Sequence, residues 1–275
     1  MPAPKRYLVD SLFRSRELLL RFLVDPLDRI YLLASGKRSW PPYSLRRHVG
    51  APAKFAVAAR QTEEWMNRFG LLPSNASVLD IGCGCGAMVP IFARLLDAQS
   101  QYLGFDVHPP SIAYCRRAFA GDPRFRFELA DLSSPYGRSL GQDADGYRFP
   151  LADGEIDFVL AKSVFTHLQP AAAQQYLSEI ARVLKPAGRA LVSAFLFTLP
   201  PSEALLAALP HPPLPETKVR WRVAAKPEAA IGFEGALFLD WIAAAGLKAA
   251  HFVPIFWPGQ SSVAAGQDLL VLERL

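Results

Sequence analysis

Ten residues, Val78-Leu79-Asp80-Ile81-Gly82-Cys83-Gly84-Cys85-Gly86-Ala87, constrain this chain more than any other stretch. An apolar run passes into three alternating glycines and then into a helix-forming segment. Glycines permit a tight turn and a close approach of backbone to a ligand, and a helix start offers unpaired N–H groups. Pro90 suits a helix beginning near Ala87, because its missing N–H falls in the unpaired first turn. The same letters fit the Gly-x-Gly-x-x-Ala loop of dinucleotide-binding folds, with Asp106, about 20 residues on, where a ribose acceptor belongs. The loop alone therefore leaves several nucleoside ligands open.

The rest of the chain repeats this unit. Short apolar runs at 77–81, 101–106, 125–130, 156–161 and 189–197 alternate with helical stretches at 87–97, 110–119, 171–184 and 234–245. That alternation predicts an α/β fold with a parallel sheet covered by helices on both faces. The helix at 171–184 starts at Pro170, puts Tyr176, Ile180 and Val183 on one face and stops at Lys185-Pro186-Ala187-Gly188. Two late runs, 250–257 and 268–274, flank Pro258-Gly259 and predict an antiparallel pair that closes the sheet. Seven prolines between Pro200 and Pro227 mark a connecting insertion or lid over about 198–232. Residues 1–70 read as a helical extension, broken at Asp25-Pro26 and across 35–43, with a last helix at 54–69 capped by Gly70. Residues 71–275 form the main domain.

Composition narrows the class. With 51% apolar and 20% charged residues the chain buries a core, which excludes general disorder. No uncharged apolar run reaches the roughly 20 residues that span a bilayer. Asp10 and Glu17 interrupt the stretch a signal peptide needs, and three cysteines make no disulfide framework, so the expected compartment is the cytoplasm. Residues 1–60 hold twelve Lys/Arg against four acids, while the remainder is slightly acidic. Such an arm is matched in sign to an anionic membrane surface or a phosphorylated substrate. A solvated basic face explains it as well, and no nucleic-acid module accompanies it.

Four features beyond the loop bear on the ligand. Asp80, two residues before the first glycine, suits a cationic amino-acid group better than a pyrophosphate. Ala130-Asp131-Leu132 ends the third strand with an acid able to accept from an adenine amino group. The fourth strand enters through Gly154-Glu155-Ile156-Asp157 and leaves through Lys162-Ser163-Val164-Phe165-Thr166-His167, and the fifth follows Leu184-Lys185-Pro186-Ala187-Gly188. Together these resemble the class I S-adenosylmethionine-dependent methyltransferases, over about residues 77–197 and more weakly at Gln267-Asp268-Leu269. A softer resemblance, to bacterial small-molecule and glycan methyltransferases, rests on Pro41-Pro42, Tyr147-Arg148-Phe149-Pro150, Ser163 to His167 and Trp257-Pro258-Gly259.

The resemblance implies a Rossmann-like seven-stranded sheet with its last strand antiparallel. It implies S-adenosylmethionine as cofactor and S-adenosylhomocysteine as product. Gly82, Cys83, Gly84 and Gly86 would form the loop under the methionine part, with Asp80 near its ammonium. Asp106 would hold the ribose, Val107, Asp131 and Leu132 would frame the adenine, and Lys162 and Ser163 would line the cofactor. Two departures are the cysteines Cys83 and Cys85 in the loop and Pro-Ala-Gly where the family has Pro-Gly-Gly.

Methyl transfer to a hydroxyl needs a base with a pKa near neutrality, and His167 follows the fourth strand where such a base belongs. A cap or packing role at the start of the next helix is the alternative. His48 and His211 lie in segments that could cover the site, though each reads as ordinary surface. Asp153, Glu155 and Asp157 enter a strand at alternate positions, which argues against a metal cluster, and Asp157 is expected to bond backbone near the turn. Tyr43, Arg46, Arg47, Phe165, Phe195, Trp221 and Trp257 are the candidate acceptor contacts, suited to an anionic sugar or aromatic ring, with hydrophobic packing an equal explanation of each aromatic. The expected partner is thus a small-molecule or glycan acceptor, methylated at oxygen. A nicotinamide-dependent oxidoreductase and a non-catalytic binding subunit docked through residues 1–50 stand as alternatives.

Overall fold

The computed structural model describes residues 18–49, 55–134, 141–197, 209–211, 218–254 and 267–275. The start of the basic arm, most of the proline-rich stretch and the loop carrying Trp257 lie outside them. Among the described residues nine strands form one sheet. Strands β1 (Ser77–Ile81), β2 (Gln101–Asp106), β3 (Phe125–Leu129), β4 (Ile156–Ala161) and β5 (Leu184–Phe197) run parallel in the order β3-β2-β1-β4-β5. After the short pair β6 (Val219–Trp221) and β7 (Ile231–Glu234) come β8 (Leu247–Val253) and β9 (Asp268–Arg274). β9 lies antiparallel to β5 between Arg189 and Ala194, and β8 antiparallel to β9. The seven principal strands thus have only the last one reversed, as expected.

β5 is longer than its apolar run, starting at Leu184 rather than 189. Its far end, Phe195 to Phe197, pairs with β7, which pairs in turn with β6. Part of the stretch expected to be an insertion or lid therefore extends the sheet beyond β9.

Side-chain alternation along the strands sorts the core into two layers. Val78, Phe158 and Leu160 pack with Phe92, Tyr102 and Met66 on one face. That face is covered by α3 (Phe55–Arg68), α4 (Val89–Leu95) and α5 (Pro109–Ala118), counting after α1 (Asp25–Ala34) and α2 (Tyr43–Arg46). Leu79, Ile81 and Val159 pack on the other face with Tyr176 and Ile180 of α6 (Pro170–Val183) and Phe238 of α7 (Gly235–Ala244). α3 stops as its Gly70 predicts: Gly70 takes φ +57°, its N–H donates to Asn67, and Leu71 donates to Met66.

The N-terminal helices are joined by carboxylates. Asp25 accepts from the backbone N–H and hydroxyl of Ser44, and Asp28 accepts from the backbone N–H of Tyr43 and from both terminal nitrogens of Arg46. A π-helical turn, Leu20–Val24, leads into α1.

Candidate active site

The parallel strands end on one side of the sheet, where an open α/β sheet accepts ligands. β1 leaves the sheet through Gly82, Gly84 and Gly86, with φ of +68°, +54° and +78°. A Cβ at Gly82 would stand 2.7 Å from Cγ2 of Val164, so the turn after β4 packs directly on the loop. The loop is also tied to β2. Gly82 and Cys83 donate to the carbonyl of Phe105, and Asp106 accepts from the N–H groups of Gly84 and His108 at 2.8 Å each.

Two charged groups, buried Asp80 and half-buried Lys162, face the same space. Asp80 accepts from the Tyr102 hydroxyl at 2.6 Å, yet burial raises its pKa to about 7 against that bond. Lys162 donates to Thr62 Oγ1 at 2.6 Å, and burial lowers its pKa to about 8 although Asp80 favours its charge. Ser163, at φ +58°, donates its N–H to Ser193 Oγ. Gln267 accepts from that hydroxyl at 2.6 Å and donates to Ser163 Oγ at 2.9 Å, bridging the end of β4 to the start of β9.

His167 closes a short 3₁₀ turn, and its Nδ1 lies 2.7 Å from the carbonyl oxygen of Glu228. A carbonyl only accepts, so Nδ1 holds the proton of the neutral ring and Nε2 is the basic nitrogen. Burial holds the pKa of His167 below the ordinary histidine value, which keeps the ring neutral at pH 7. Gln169 donates to the Glu228 carboxylate at 2.9 Å, a second tie to the same segment.

Asp80, Gly82, Cys83, Gly84, Asp106, Val107, Leu132, Lys162, Ser163 and His167 line one cavity of about 660 Å³. Ligand pockets commonly enclose about 300–1,000 Å³. Gly86 does not line it: a Cβ there would meet Phe119 and Cys115, so this glycine serves the packing of α5 on the loop. Asp131 does not line it either. Its side chain is exposed, and its carbonyl accepts from Gln142, which brings Asp143 and Asp145 to the wall instead.

Six of the seven candidate acceptor contacts fall among the described residues, and none of these six lines the cavity. Arg46 is buried in its pair with Asp28 and donates to the Pro41 carbonyl at 2.7 Å. Tyr43 belongs to the same joint, and Arg47 also falls outside the lining. Phe165 is core, edge-on to Phe238 at 5.5 Å, because the 3₁₀ turn directs it beneath the sheet end toward α7. Phe195 packs with Phe197 and Leu209, and Trp221 packs against the core from β6. Trp257 lies outside the described residues.

The segment before α3 supplies one more wall. His48, expected to be surface, lines the cavity with its ring 4.6 Å from that of His108. His108 is buried against Ser111 Oγ at 2.8 Å, and burial, then the nearby positive groups of His48, Arg21 and Arg47, lowers its pKa to about 3. Its place directly after the end of β2 was the available signal. His211 makes a backbone bridge to Trp221 at an exposed position. Asp157 accepts from Ser77 N–H and Lys185, Glu155 from Ala152 N–H, and Asp153 from Arg182. Each acid at the start of β4 is thus a structural acceptor.

A family model described as a methyltransferase domain matches residues 79–192. An uncharacterised 37.1 kDa protein of a Streptomyces fradiae transposon is 30% identical over 113 residues, 41% of this chain and 28% of that protein. The ribosomal RNA large subunit methyltransferase E of Desulforapulum autotrophicum is 30% identical over 105 residues, covering 36% of this chain and 49% of that enzyme. The chain thus spans half or less of these curated relatives. Among solved structures, the Burkholderia thailandensis 1,6-didemethyltoxoflavin-N1-methyltransferase aligns over 100% of this chain and 91% of its own, with a TM-score of 0.53 and 17% identity. That likeness is one of fold.

Proposed function

We propose that the chain, whose residues 79–192 match a methyltransferase domain, is a class I S-adenosylmethionine-dependent methyltransferase that methylates a small-molecule or glycan acceptor at oxygen. The observation that carries this reading is convergence: four strand ends, at 80–84, 106–107, 132 and 162–163, deliver their residues to one cavity that His167 also lines.

The cavity fits the methyl donor. Its loop has no Cβ at Gly82 or Gly84, an acid stands at the end of β2, and an opposite-charge pair, Asp80 and Lys162, suits a zwitterionic amino-acid end. Asp80 would hold the ammonium, Asp106 the ribose hydroxyls, and Val107 with Leu132 the adenine. Asp131 is left out because its carboxylate stands outside the cavity. When bound, the donor supplies a methyl group already activated on a sulfonium. The protein's work is then alignment, exclusion of water and management of one proton. His167 Nε2 takes the proton of the acceptor hydroxyl, while the Nδ1–H bond to Glu228 keeps the ring in the tautomer that can do so. Gln169 and Gln267 offer carboxamides beside it, suited to a neutral, hydroxylated acceptor.

Calorimetric titration with S-adenosylmethionine, S-adenosylhomocysteine and NAD tests the first half. Binding of the first two without NAD is expected. Binding of NAD alone would turn the search to a hydride site, and silence for all three would favour a non-catalytic subunit. For the second half, His167→Asn should lower kcat by about 10²–10⁴-fold with unchanged affinity for S-adenosylhomocysteine. A raised KM at unchanged kcat would make His167 a binding residue instead.

A further inference from the structure

The helix from Leu18 through α1 carries an apolar face that points to solvent. Phe22, Leu27, Ile30 and Leu23 are 73%, 70%, 64% and 62% exposed, and Leu19 and Leu33 stand beside them. Counted along the helix, its π-turn at Leu20–Val24 included, these six fall on one continuous side. Leu32 is the buried apolar residue of this helix, on the opposite half. That inward half also holds Asp25 and Asp28, and both carboxylates are taken up by α2, through Ser44, Tyr43 and Arg46.

The consequence is electrostatic. Asp25 and Asp28 are the two acids of residues 18–49, and both face inward. What the helix and its following turn show to solvent is therefore without an acid: Arg29 is exposed beside the apolar face next to Phe22, and Arg38 is exposed in the turn. Residues 1–17, which precede it, hold Lys5, Arg6, Arg14 and Arg16 against Asp10 and Glu17. A helix with an apolar face bordered by cations is the pattern that lies in the headgroup layer of an anionic bilayer. A second copy of the chain is a poorer occupant, because a two-fold contact would set this basic segment against itself. Spanning is not at issue, since among the described residues no helix is long and apolar enough to cross a membrane.

We propose that the face formed by Leu19, Phe22, Leu23, Leu27, Ile30 and Leu33 docks the protein on an anionic lipid surface. This inference goes beyond methyl transfer and does not depend on it. The test is co-sedimentation of the full chain with vesicles of phosphatidylcholine plus phosphatidylserine, against vesicles of phosphatidylcholine alone. Binding is expected to the first and to weaken as salt rises. The double variant Leu27→Glu with Ile30→Glu should lose binding at least tenfold while its circular dichroism and affinity for S-adenosylhomocysteine stay at wild-type values. Both side chains are exposed, so the fold is not put at risk. Arg29→Gln should lower partitioning about fivefold, the worth of one cation at such a surface. Absent binding, equal binding to both vesicle types, or binding unchanged in the double variant would overturn the proposal. So would a dimer in lipid-free solution that the double variant abolishes, which would assign the face to a second copy.

Discussion

Asp80 is a carboxyl in an almost dry wall, and its position makes the cavity pH-sensitive. Burial, partly offset by the Tyr102 hydroxyl, puts its pKa at about 7 instead of the ordinary value near 4. The folded protein therefore holds a proton there between about pH 4 and 7 that the unfolded chain has released. It follows that stability falls as pH rises through that window and is lowest above it. Asp80→Asn removes the penalty and should stabilise the ligand-free protein at pH 8 by roughly 2–4 kcal/mol, an advantage that fades as pH approaches 4. The same substitution should weaken binding of a cationic ammonium and abolish a loss of wild-type affinity below pH 7. Thermal melts and titrations at pH 5, 6, 7 and 8 check both halves; an Asn variant less stable at pH 8 would sink the argument. Sequence pattern singled out this residue, because an acid two places before the first glycine is chemically odd in an apolar strand. His48 was legible only as part of a segment that could cover the site, since it lies 34 residues before the loop and is brought to it by the packing of α1 and α2.

Elements were legible where periodicity and punctuation agree. β1, β2 and β4 begin and end where their apolar runs do, and α6 lies within a residue of its expected span between Pro170 and the Lys-Pro-Ala-Gly stop. β6 and β7 were not, because prolines hide strands that are three and four residues long and draw their order from the end of β5. Phe165 was ambiguous between acceptor contact and packing for a related reason. A loop aromatic next to a candidate base reads as a contact, but a 3₁₀ turn sends it into the core. That turn is also coupled to the glycine loop, since Val164 closes on Gly82. Gly82→Ala combines a left-handed φ with this overlap and should cost about 1–3 kcal/mol and weaken S-adenosylhomocysteine binding. Val164→Ala in the same chain should return part of the stability, and the remaining loss reports backbone strain. Strictly additive effects in denaturant unfolding would deny the coupling.

At the scale of the whole molecule, the N-terminal helices and the sheet domain share the cavity. α2 leads directly to His48, whose ring meets His108 at the start of α5. What holds α2 to α1 is largely the Asp28–Arg46 pair, at 2.7 Å with both side chains almost fully withdrawn from water. Removing one partner of a buried pair costs about 3–5 kcal/mol, because the other charge is left without compensation. Asp28→Ala strands Arg46, whose guanidinium also lies 5.5 Å from the ring centre of Trp40. The cost falls on this joint rather than on the sheet, whose layers are built from other residues. Amide hydrogen exchange should accelerate across 25–48 while β1, β4 and β5 keep their protection. Affinity for S-adenosylhomocysteine should fall by about tenfold, the 1.4 kcal/mol expected when one wall is held open part of the time. The double replacement Asp28→Leu with Arg46→Met, which exchanges the pair for apolar side chains, should recover most of the protection. Affinity that stays at the wild-type value while 25–48 exchanges freely would mean that the His48 wall contributes nothing to the ligand, and the cavity would then belong to the sheet domain alone.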